Sequence, residues 1–274
     1  MRKAIIILLT TIFCCAACQW KFGLNDPDEP DYLVKLERYD RVESQYLTTS
    51  DFAALQQLNT EFPTQTRTLI EDVLKLGRVN DPEINVKFLN FFQDTTLQTL
   101  ITSVEQQFAD VKDLNEDLSA TFGKLQELIP SITIPKIYTQ IGALDQSIII
   151  GNGEIGICLD KYLGEDYPLY TSFYNEQQRK MMTREMIVPD CVVFYLVSQY
   201  PMPDDSNVSQ MDHDIFMARI LWVANKALRR NAFKTTYIDI IEAYMRKKNT
   251  TCDKLLSNHN YAKIVKESGK TYHP

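Results

Sequence analysis

The sequence predicts an α+β fold that is mainly helical, one domain over residues 33–274 with a small sheet of about three strands around 132–160. Two patterns carry this expectation. Between Asp94 and Ile129 apolar residues recur in steps of three and four, the spacing that puts them on one face of a helix. Between Ile132 and Leu159 the chain turns β-branched, with Gly151-Asn152-Gly153 separating two isoleucine-rich runs. Composition agrees: of 274 residues 45% are hydrophobic and 24% charged, the balance of a globular protein rather than a disordered one.

Taken in order, the elements begin with a leader. Arg2 and Lys3 precede the apolar run Ala4–Phe13, which is shorter than the ~20 residues a spanning helix requires. It ends at Cys14-Cys15-Ala16-Ala17-Cys18, two small residues directly before a cysteine, which resembles a bacterial lipobox. The expectation is a signal peptide over 1–17, acylation of Cys18, and a Pro- and acid-rich tether over 18–32. Each acyl CH₂ buried in a bilayer contributes ~0.8 kcal/mol, so several chains anchor a domain firmly. Gln19 after the cysteine, where an Asp would signal inner-membrane retention, points to the outer membrane, with the domain facing the periplasm.

Loss of the leader removes two bases and no acid, so the mature chain is two charges more negative than the −7 of the full sequence. An acidic body is a poor partner for duplex nucleic acid, which is bound by displacing counterions with Lys and Arg. Of six cysteines, Cys158, Cys191 and Cys252 remain beyond Cys18, and three cannot all pair within one chain.

Further on, Leu33–Tyr39 alternates in part and reads as a short edge strand. Asp51 reads as a helix cap ahead of Phe52, and Pro63 opens a helical stretch that stops at Gly77. Asp81-Pro82-Glu83 reads as the start of a helix carrying Ile84 and Phe88, and Asp94 caps the next. The clearest helix runs from Val111 through Leu114, Leu118, Phe122 and Leu125; core packing explains such a stripe. After the sheet, a Tyr-rich loop over 159–170 precedes helical patterns near 177–185, 189–199, 211–229, 237–246 and 253–267.

Chemistry-bearing motifs are sparse. Gly151–Gly156 spells a dinucleotide-binding string but joins two strands and opens no helix. The three histidines include no HExxH, and Asp212-His213-Asp214, the only locally suggestive trio, has neighbours that do not share a helix face. A metal-dependent hydrolase built on that trio is the alternative to a non-enzymatic protein. No nucleophile elbow is present, and Cys158 sits in an apolar strand where a thiol is inert. No catalytic residue, metal or cofactor is therefore expected. Tyr162, Tyr167 and Tyr170 are the candidate partner-binding loop.

Three stretches resemble a known family. Ile155–Tyr170, with Asp160-Lys161-Tyr162-Leu163-Gly164-Glu165-Asp166-Tyr167-Pro168 at its centre, is similar to a segment of the gliding-motility lipoprotein GldB family. Met182–Asp190 resembles the helix region that follows it, and Tyr237–Met245 with Ser268–Pro274 resemble its closing motifs. The chain looks like a shortened, divergent member: Arg229 runs almost directly into Lys234 where a Trp-rich stretch is usual, and Ala218-Arg219 replaces a Gly-Lys pair. The resemblance implies a lipid-anchored envelope protein, an accessory or adaptor of gliding-motility or secretion-type machinery with envelope protein partners. The strand-loop-helix order also looks like that of zincin peptidases, with residues 178–198 in place of the metal-binding helix and Glu185 but no His within it. A degenerate, peptide-binding relative of zincins is thus a second implication.

Overall fold

The computed structural model describes residues 32–203 and 208–273. The signal peptide, Cys18 and the tether up to residue 31 lie outside the described residues.

Four strands form one mixed sheet: β1 (Leu36–Glu37), β2 (Lys136–Gln140), β3 (Ile148–Gly151) and β4 (Glu154–Cys158), in the order β1-β2-β4-β3. β1, β2 and β4 run parallel, and β3 is antiparallel to β4. The expected hairpin is present. Asn152 and Gly153 both have positive φ, 52° and 78°, the backbone that a two-residue turn with the correct twist demands. The sheet exceeds the expected three strands because Leu36–Glu37 joins its edge as the short strand the alternation suggested. Ile132–Ile134 precedes the sheet as irregular chain, and pairing starts only after Pro135, which has no N–H to give a ladder.

The first half of the helical layer comprises α1 (Tyr39–Thr49), α2 (Phe52–Thr60), α3 (Pro63–Arg67), α4 (Ile84–Phe91), α5 (Thr95–Gln107) and α6 (Lys112–Leu128). Asp51 caps α2 through Ala53 N–H, and Asp94 caps α5 through Thr96 and Leu97 N–H, as read from sequence. Pro63 opens α3, which continues as a π-helical turn over Thr68–Val73. Asp81 caps no helix: its carboxylate accepts Arg78 N–H in a tight turn, and α4 begins only at Ile84. The stripe Leu114, Leu118, Phe122 and Leu125 is buried on α6, which packs on the second half of the layer.

That half contains α7 (Tyr170–Phe173), α8 (Glu176–Arg179), α9 (Ile187–Gln199), α10 (Gln210–Ala227), α11 (Thr236–Lys248), α12 (Cys252–Leu256) and α13 (Tyr261–Ser268). α9 is apolar around most of its circumference because it sits between the sheet and α6 and α10. Residues 178–198 are thus a short helix, a break, a 3₁₀ turn over Arg184–Met186 and most of α9, not one continuous helix. The 253–267 pattern divides into α12 and α13, because Asn260 caps a new helix through Lys263 N–H. Cys158, Cys191 and Cys252 are free thiols, all buried.

Candidate functional site

Three parallel strands end at the same edge of the sheet, and each delivers polar side chains there. β1 leads directly into α1, whose inward face carries Asp40, Glu43 and Ser44 beside Tyr39 and Leu47. β2 ends on Thr139 and Gln140, and β4 on Cys158 followed by Asp160. Carboxyl ends of parallel strands are where open α/β sheets gather their loops and ligands.

Asp40 is fully satisfied. Arg38 grips it with two bonds of 2.8 Å, and the Thr139 hydroxyl donates to it as well. Glu43 accepts Ile141 N–H at 2.9 Å through one oxygen, while its other oxygen, like Oε1 of Gln140, has no partner. Burial, with Asp160 and Asp40 adding negative charge, pushes the Glu43 carboxyl well above the usual carboxylate range. Cys158 lies beside it, accepts the Gln140 amide at 3.3 Å, and is also raised by burial, which makes it a poor nucleophile.

Asp160 is wholly buried and shapes the loop after β2. It accepts Gly142 N–H at 2.7 Å and Leu144 N–H at 2.6 Å. Between and beside those donors Ala143 and Leu144 both take positive φ, 51° and 65°, an unusual pair without glycine. Gly142 lets the loop approach β4, since a Cβ there would stand 2.8 Å from the Cys158 sulfur.

Glu43 gives a testable sign. A carboxyl whose folded-state pKa is raised contributes stability that is complete below the unfolded value near ~4.3 and is lost as pH climbs toward the folded value. Replacing Glu43 with Gln removes that titration. The expected outcome is a flatter stability–pH curve above pH ~4.3, by at most ~1.4 kcal/mol per pH unit, the value for one proton. Denaturant titrations from pH 4 to 8 check it, and parallel curves for both proteins would rule out the neutral carboxyl.

Of the predicted tyrosines, Tyr162 and Tyr167 lie in the segment after β4 and Tyr170 opens α7. Tyr162 is buried and donates to Asp190 at 2.8 Å; burial pushes Asp190 up to about 6, with the Tyr162 bond acting against that shift. Tyr170 is buried, donates to the Asp160 carbonyl and accepts Leu163 N–H. Tyr167 is half-buried, packs edge-on against Tyr170 and bonds Ser103. Solvent therefore meets this loop at Glu165, Asp166, Pro168 and the outer part of Tyr167.

Asp212, His213 and Asp214 are used separately. Asp212 closes the capping box of α10 with Ser209, Asp214 accepts the Tyr272 hydroxyl at 2.7 Å, and His213 is exposed. Among the described residues no group of three or more His, Cys, Asp or Glu is placed to hold a metal ion. Sequence reasoning passed over Asp40, Glu43, Gln140 and Asp160. The available signal was an acid directly after an apolar strand, at Cys158-Leu159-Asp160.

The described residues thus define an α+β body with a buried polar cluster at the carboxyl edge of its parallel strands. No helix among them is long and apolar enough to cross a membrane. The sequence matches the model of the family described as Gliding motility protein GldB over residues 25–238, and the chain belongs to that family of lipoproteins. Ile155–Tyr170 and Met182–Asp190 fall inside the matched span, whereas Ser268–Pro274 and most of Tyr237–Met245 lie beyond it. No curated protein and no solved structure matches significantly, so the likeness to zincin peptidases finds no support.

Proposed function

We infer that this chain is a lipid-anchored protein of the cell envelope and a non-enzymatic accessory or adaptor of gliding-motility or secretion-type machinery. The observation that carries this reading is the family match, which spans most of the folded body. Cys18 is the residue acylated, and the outer membrane, with the domain toward the periplasm, is the location that Gln19 favours. The loop of Tyr162, Tyr167 and Tyr170 is the partner-facing element: Tyr162 and Tyr170 fix it from within, and Tyr167 with its acidic neighbours offers the contact surface. Burial that raises the Cys158 thiol makes it a poor nucleophile, which fits a binding role better than nucleophilic catalysis by that side chain.

Two measurements test it. Labelled palmitate fed to cells should enter the protein, and Cys18→Ser should abolish the label and release the protein from the membrane fraction. Crosslinking the lipidated protein in its own envelope should recover the same protein partners repeatedly. Stoichiometric zinc in the purified protein would turn the reading toward the hydrolase, and a membrane-bound Cys18→Ser protein would end the lipid assignment.

A further inference from the structure

The strained loop after β2, the start of α5 and the α7 region border an open groove of about 530 Å³. Its walls are apolar: Leu97 from α5, Leu144 from the strained turn, and Leu169 and Phe173 from the α7 region. Phe173 is 67% exposed, a large aromatic left in water at the groove's edge. Two carboxylates, Asp94 and Asp145, line the same groove, and neither forms an ion pair among the described residues. Asp94 is held charged, below the usual carboxylate range, by the N–H groups it caps on α5. The nearby Lys161 is already committed, to the Leu144 carbonyl, the Tyr174 hydroxyl at 2.9 Å and the field of Asp160. Among the described residues no basic side chain lines the groove.

We propose that this groove is a peptide-docking site that takes a short segment of a partner protein in which an apolar side chain stands next to lysine or arginine. The proposal rests on the adaptor reading and names the chemistry of what is adapted. Apolar walls with two carboxylates that have no ion-pair partner among the described residues disfavour acidic segments and favour a cation beside a buried side chain. The volume is that of a small-ligand pocket, within the ~300–1,000 Å³ usual for such sites, which suits a few side chains rather than a whole domain face. The wall is also prepared in advance. Asp160 pins Gly142 and Leu144 N–H from below, so Leu144 is presented in a backbone conformation it would not hold by itself.

The test is selection of random dodecapeptides displayed on phage against the full chain bearing Cys18→Ser, followed by affinity measurement with the selected peptides. Enriched sequences are expected to pair an aromatic or aliphatic residue with Lys or Arg. Their affinity should fall at least tenfold for Phe173→Ser and for Asp145→Lys, both surface changes that leave the buried cluster intact. Asp94→Asn, which keeps the cap of α5, should weaken binding and reduce its salt dependence. Enrichment without basic residues, no enrichment at all, or binding indifferent to all three variants would overturn the groove. So would self-association of the chain abolished by the same substitutions, because a second copy would then be the occupant. Failure of the envelope crosslinking with successful peptide selection refutes the adaptor role and leaves the groove; the opposite pair of results does the reverse.

Discussion

Replacing Asp160 with Ala is expected to destabilise the protein by about 3–5 kcal/mol. The carboxylate is fully buried and satisfies two main-chain donors, Gly142 and Leu144 N–H. Stranding a buried donor costs ~1–3 kcal/mol, and here two are stranded together. The positive-φ conformations of Ala143 and Leu144 also lose the group that compensates their strain. Against a net stability of ~5–15 kcal/mol for a domain, that loss is severe. Asp160→Asn should fall between, since an amide oxygen can accept one N–H while its nitrogen faces the other donor. Guanidinium denaturation measures the loss, and hydrogen exchange at residues 142–145 locates it. A variant within ~1 kcal/mol of the parent, with unchanged protection in that loop, would show that Asp160 does not organise it.

The same carboxylate explains what the sequence could and could not reveal. α6 was legible because Leu114, Leu118, Phe122 and Leu125 are all apolar and all buried. The β3–β4 hairpin was legible because only a few residue pairs accept two positive φ angles, and Asn152-Gly153 is one of them. α1 was not, because its buried face mixes Asp40, Glu43 and Ser44 with Tyr39, Tyr46 and Leu47, which breaks up the apolar stripe. The polar cluster was hidden for the same reason. Its members come from positions about a hundred residues apart, as in the Ile141–Glu43 and Thr139–Asp40 bonds, and only the parallel pairing of β1, β2 and β4 joins them. Tyr162 and Tyr170 stand out in the sequence by type and proximity alone. Their role in holding the loop from inside depends on Asp190 and the Asp160 carbonyl, which no local pattern indicates.

Arg219 carries the second large effect. It lies on α10 in the Ala218-Arg219 pair where the family resemblance expected Gly-Lys, and among the described residues it is the largest side chain buried completely. Its guanidinium donates to the carbonyls of Asn258 at 2.7 Å and Leu255 at 3.4 Å, at the end of α12, where the helix dipole favours a cation. It also stands about 5.1 Å from the ring centres of both Phe216 and Tyr261. The family match ends at residue 238, so Arg219 ties the matched body to α12 and α13, which lie wholly beyond it. Arg219→Ala should remove these bonds and leave a cavity, costing about 3–5 kcal/mol. For a chain of this size that is a fall in Tm on the order of 10 °C. Arg219→Lys should recover only part of it, because an ammonium lacks the planar fork and stacks poorly on two rings. Protease digestion at native temperature separates local from global loss: the alanine variant should be cut first within residues 249–268 while the sheet remains protected. An unchanged Tm, or cleavage starting elsewhere, would mean that packing of α11 alone secures the C-terminal helices and that Arg219 is not the tie.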